Sequence, residues 1–178
     1  MGVILAIDPG NERTGYVLVE YDFDKENGEG DITKVLEAGK ELNYQMCPII
    51  LYKRYDHFAI EMVAGMGMPV GQEVFDTCFE IGRFWEWAKA SKDGGWNDGF
   101  WMKKIYRREE KLDLCGSPNA KDANIRQALV DRYAPGQPNF GKGTKKEPGF
   151  FYGFSADMWA AMAVAATYFD KYIKGVKL

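Results

Sequence analysis

Apolar positions follow two rhythms along this chain. Residues 2–8 (GVILAID) and 15–21 (GYVLVEY) are aliphatic and β-branched runs separated by PGNERT, which predicts two strands joined by a short polar loop. A tip of acids and glycines, DFDKENGEGD, leads to a third predicted strand over 32–42. Helical spacing of Met46, Ile49 and Ile50 predicts a helix within 44–55, with Pro48 in its first turn. Residues 57–63 (HFAIEMV) fit a buried strand interrupted by Glu61, and the glycine-rich AGMGMPVG follows. The spacing of Val74, Phe75, Cys78, Ile81, Trp85 and Ala88 predicts a helix over 73–90. A fifth strand is expected at 101–106 and an amphipathic helix at 119–133, with Ile125, Leu129 and Val130 inward. PGQPNFGKGTKKEPG reads as a flexible loop long enough to bind something. The last helix, 155–172, starts at an N-cap serine and carries an alanine face that can approach a sheet closely. Three leading strands, then strands alternating with helices, predict an α/β fold: a mixed five-stranded sheet, antiparallel meander plus parallel strands, flanked by helices.

Composition refines this picture without changing it. The 178 residues suit a single domain, 1–178. MGVILAI lacks a basic flank and a cleavage site, so it reads as a strand rather than a signal peptide. The least polar segment, 156–169, is too short for a bilayer and contains Asp157, which leads to the expectation of a soluble, cytoplasmic protein. Cys47, Cys78 and Cys115 show no paired spacing and read as reduced thiols.

The net charge of −3 hides an asymmetry. Residues 1–100 hold 9 Lys/Arg against 18 Asp/Glu, whereas residues 101–146 hold 11 against 5. A basic segment in an acidic chain suits a polyanion facing one side of the fold.

Three carboxylates interrupt runs that otherwise read as core: Asp8, Glu61 and Asp157. Each has an ordinary explanation alone: a turn acceptor, an ion pair, a helix N-terminal charge. Together, on neighbouring strands and a helix packed across them, they can meet at one sheet edge. Clustered acids repel unless hard cations such as Mg²⁺ or Mn²⁺ neutralise them. Two such ions can activate water and stabilise a leaving oxygen in phosphodiester hydrolysis.

The blocks IDPGNERTGY, AIEM, GSPNAKDANIRQALVDRY and SADMWAAMAVA, in this order, resemble RuvC-type Holliday junction resolvases of the RNase H-like superfamily. They are most similar to the versions encoded by phages and prophages. The resemblance implies an RNase H-like fold, with Asp8, Glu61 and Asp157 as catalytic ligands of two Mg²⁺ (or Mn²⁺) ions. It implies a crossover junction endodeoxyribonuclease that cuts four-way DNA symmetrically and leaves 5′-phosphate and 3′-hydroxyl ends. It further implies a homodimer paired through the helix near Val74–Trp87, with no nucleotide cofactor and no membrane partner. Phosphate-contacting lysines of that family map to Lys111, which would also assist catalysis, and to Lys121. Arg107, Arg108 and Arg126 flank them, and Lys142, Lys145 and Lys146 lie in the late loop. This chain departs from the family at two points. Phe154 occupies the position of a fourth metal-site residue, and the loop after Glu61 offers Met66 and Met68 where an aromatic wedge is usual.

Rival readings are an RNase H-like nuclease acting on structured RNA (similar to the YqgF group) or on flap DNA, and a non-catalytic protein that binds branched DNA. A sugar-kinase-like phosphate loop is disfavoured because the chain is too short for a two-lobed cleft.

Overall fold

The structure is a computed structural model and describes residues 1–65, 67, 69–91 and 101–175. Five strands, β1 (Gly2–Pro9), β2 (Arg13–Asp24), β3 (Glu29–Leu42), β4 (His57–Met62) and β5 (Met102–Tyr106), form one mixed sheet. Its spatial order is β3-β2-β1-β4-β5. The first three strands pair antiparallel, while β4 and β5 run parallel to β1. The central β1 and β4 are almost wholly apolar because both of their faces are covered.

Side-chain alternation divides the core into two layers. On one face Ile4, Ala6, Val17, Val19, Ala59 and Ile105 meet helix α4 (Asp122–Tyr133) and helix α5 (Ala156–Tyr168). On the other, Leu5, Ile7, Leu18, Phe58 and Ile60 meet helix α1 (Met46–Tyr52) and helix α2 (Gln72–Ala90). Helix α3 (Arg107–Cys115) follows β5 directly. No helix among the described residues is long and apolar enough to cross a membrane.

Four local expectations need correcting. Helix α3 lacks an apolar stripe, its only buried residue being Glu110, so the pattern of RREEKLDLC gave no sign of it. The amphipathic helix expected from 119 begins at Asp122, after a turn in which the Ala120 amide donates to the Ser117 carbonyl. Ser155 takes the N-cap position of α5, but its hydroxyl makes no capping bond; its carbonyl accepts from the Trp159 amide. The helix then continues as a wider π-helical turn over Phe169–Lys174. Lastly, the loop expected to be flexible is pinned: the amides of Gly141, Gly149 and Phe151 donate to Pro138, Lys142 and Gly141, and Thr144 and Glu147 close a turn within it.

One contact sets the distance between α5 and the sheet. A Cβ placed on Gly15 would lie 2.5 Å from the Asp157 carbonyl oxygen, closer than real side chains approach. The hydrogen in place of a side chain lets the first turn of α5 rest on β2. Gly15→Ala is therefore expected to lower stability by about 1–3 kcal/mol, the usual cost of overpacking. Urea unfolding of the two proteins checks this, and equal midpoints would show that α5 can lift away without cost.

Candidate active site

Register places the acids. Asp8 at the end of β1 is paired across with Gly15 on β2, and Gly15 with Lys40 on β3. On the other side Ile7 is level with Ile60, so Asp8 and Glu61 leave adjacent parallel strands together. Both point to the α5 face, in step with Ala6 and Ala59. Asp157, in the first turn of α5, arrives above Gly15, between Asp8 and Lys40.

The three acids line one cleft of about 510 Å³, together with Arg107, Asp122 and Arg126. A second depression on the other side of Asp8 and Asp157 is lined by Pro9–Arg13 and Lys40. Thus the structure brings together Asp8, Glu61, Asp157, Arg107 and Arg126 from the sequence-derived set. Lys111, half-buried on α3, and Lys121, exposed at the N-cap of α4, are not among the cleft-lining residues, nor is exposed Arg108. Lys142, Lys145 and Lys146 sit on the pinned loop, outside that lining. Met66 and Met68 lie outside the described residues. Phe154 is buried against Phe151 and Trp159, so its position provides packing and no ligand.

The electrostatics are those of an acid cluster short of positive charge. Burial, then the charge of Glu61, raises the Asp8 carboxyl to about 8, and Asp8 donates a hydrogen bond to Glu61. Burial, then the charge of Glu110, raises Glu61 to about 7. Two cations of the chain compensate in part. Lys40 Nζ forms an ion pair with Asp157. Arg107 holds Glu110 at 2.5 Å and Asp122 at 2.7 Å. Glu110 is fully buried, and its Oε1 has no hydrogen-bond partner among the described residues.

Lys40, Glu110 and Asp122 were missed in the sequence. Lys40 was recoverable by counting register from Gly15. Glu110 was not, because its acid neighbours and an Arg three residues before it look like an ordinary solvated helix.

Carboxylate oxygens are the donors a hard divalent cation prefers, and burial followed by neighbouring negative charge raises Asp8 and Glu61, a cost that a bound cation would offset. The residue types therefore fit such an ion. Their gathering is incomplete: among the described residues no group of three or more Asp, Glu, His or Cys is drawn close enough to enclose one.

Thermus thermophilus RuvC superposes on 97% of this chain and 96% of its own, with TM-score 0.68 and 14% identity. The chain has the RuvC fold. A second RuvC structure, the T. thermophilus protein in complex with Holliday junction substrate, matches with TM-score 0.64, 14% identity and 99% coverage of both chains. No protein-family model matches the sequence, and no curated protein does. The RuvC fold accounts for the five-stranded mixed sheet with helices on both faces, as the sequence pattern and the resemblance led one to expect.

The raised carboxyls have a pH consequence. Asp8 binds its proton more tightly in the folded than in the unfolded chain, so folding gains from it at low pH and loses this gain as pH rises from about 4 to about 8. The metal-free protein should melt at progressively lower temperature across that window, and Mg²⁺ or Mn²⁺ should restore more at pH 8 than at pH 5. Asp8→Asn should flatten both effects. Thermal melts over a pH series with and without metal test this; a flat wild-type profile would contradict it.

Proposed function

We propose that this protein is a divalent-metal-dependent endonuclease that resolves branched DNA, chiefly four-way junctions, the chain acting as one nuclease domain. The reading is carried by one observation: a RuvC fold whose sheet delivers Asp8 and Glu61 side by side beneath a helix that delivers Asp157. A protein of this fold is known with Holliday junction substrate, which supports the same class of substrate here.

In this reading Asp8, Glu61 and Asp157 hold Mg²⁺, or Mn²⁺ in its place, with two ions per site. When bound, the ions activate water and stabilise the leaving 3′ oxygen of a phosphodiester, giving 5′-phosphate and 3′-hydroxyl ends. The chain's own part is to fix the acids on rigid strand ends and to place Arg107 and Arg126 at the cleft, where a phosphate would lie. Lys40 would release Asp157 as positive charge arrives. Lys111, Lys121, Arg108, Lys142, Lys145 and Lys146 would hold flanking phosphates, with Lys111 also supporting the reaction and affinity falling steeply with salt.

Paired cuts need two sites related by a two-fold axis, hence a homodimer. Phe75 and Phe79 on α2 are 58% and 68% exposed and lie one turn apart, which favours this face for pairing. Phe84 belongs to the core and Trp85 and Trp87 pack partly against it, so these three aromatics of the helix are engaged within the chain.

The test is cleavage of a synthetic mobile four-way junction in Mg²⁺ or Mn²⁺. Symmetric paired nicks are expected from the wild type, with a loss of roughly 1000-fold in Asp8→Asn, corresponding to the several kcal/mol that metal ligation provides. Binding without nicking by both proteins would instead favour a non-catalytic junction binder. For the dimer, Phe79→Glu should shift the sedimenting species toward monomer and convert paired cuts to single nicks. An unchanged sedimentation profile would remove α2 as the interface.

A further inference from the structure

The pinned loop between α4 and α5 displays two aromatics that the core does not use, Phe140 and Tyr152. Phe150, Phe151 and Phe154 of this segment pack against Tyr133 and Trp159. Phe140, a few residues earlier, is instead 48% exposed. Its backbone is left-handed, with φ of 54° at both Asn139 and Phe140. Non-glycine residues avoid that region, and two in succession hold it only where the surroundings impose it. Here the imposing contacts are the bonds around Pro138 and Gly141, with Gly141 packed so closely that a Cβ there would meet the Ala134 methyl at 2.4 Å. The loop thus fixes an apolar ring in solvent at a backbone cost.

What the ring touches points to its use. The Arg126 guanidinium lies over it, 4.7 Å from the ring centroid. Arg126 also lines the cleft that holds Asp8, Glu61 and Asp157, so the ring, itself outside the lining, stands one side chain away from that cleft. Lys142 follows two residues later, with Lys145 and Lys146 exposed beyond it. An exposed aromatic backed by a cation, beside further cations, offers a π face and phosphate contacts together. Unpaired nucleobases are recognised by that combination, because every base has a face to stack and a phosphate attached.

We infer that Phe140, oriented by Arg126, stacks on an unpaired nucleobase of branched DNA beside the cleft. The inference rests on the proposed junction-cleaving reading and adds a DNA contact to it. A ring at this place engages DNA only where a base has left the duplex stack, so it favours branch points over continuous duplex.

The experiment is a set of fluorescence-anisotropy titrations in Ca²⁺, using a labelled four-way junction and a blunt duplex of equal length. They compare wild type, Phe140→Ala, Phe140→Leu and Phe140→Tyr, each with its thermal midpoint as a folding check. Junction affinity should fall about 5- to 100-fold in the Ala and Leu variants and be retained in the Tyr variant, while duplex affinity stays level. Unchanged junction affinity in Phe140→Ala, or an equal fall for duplex and junction, would overturn the stacking role while leaving the resolvase reading intact. A wild type that binds neither DNA would overturn both.

Discussion

Everything at the candidate site depends on how closely one helix can approach one strand. Most helices on a sheet stand off by the thickness of two side-chain layers. Here Gly15 supplies no layer, and the alanines of α5 supply a thin one. The first turn of α5 therefore rests on β2, and Asp157 comes level with the end of β1. If the helix stood off by one methyl group, Asp157 would move away from the strand ends that carry Asp8 and Glu61.

That closeness creates an electrostatic problem which the chain solves only in part. Asp8 and Glu61 leave neighbouring strands on the same face and share a hydrogen bond through a retained proton. Asp157 takes Lys40 from the third strand, and Glu110 takes Arg107 from its own helix. The compensation comes from both sides of the cleft, yet Oε1 of Glu110 stays unpaired among the described residues. Elsewhere similar chemistry ties the fold: Arg132 of α4 makes paired bonds to Asp31 of β3 and Asp170 beyond α5, clamping three elements together, while Oδ2 of Asp113 beside them finds no partner among the described residues. The network around Arg107 differs in its place, because Arg107 itself lines the cleft.

Much of this was legible in the sequence. Continuous apolar, β-branched runs gave β1, β2 and β4, and acids within those runs gave Asp8 and Glu61, because burial makes such residues improbable without a purpose. What could not be read was anything requiring a third dimension. Helix α3 escaped because its charged residues leave no stripe, and its buried Glu110 looks in sequence like its solvated neighbours. The loop at 135–149 looked flexible from its glycines and prolines, whereas those residues supply the turns that pin it. Lys40 lay in a strand recognised correctly, but its meaning depended on the register linking it through Gly15 to Asp8.

The arrival of Asp157 on α5 also gives the acid cluster a place in time. As the chain is synthesised from its N-terminus, Asp8 and Glu61 are available early, on strands whose α5 face is still bare. The third acid appears only with the helix that covers that face and completes the core. Assembly of the cleft and closure of the hydrophobic layer are thus one event. A chain cut short before residue 156, or one whose last helix has not docked, lacks both at once, so the same step that makes the molecule stable makes its acids meet.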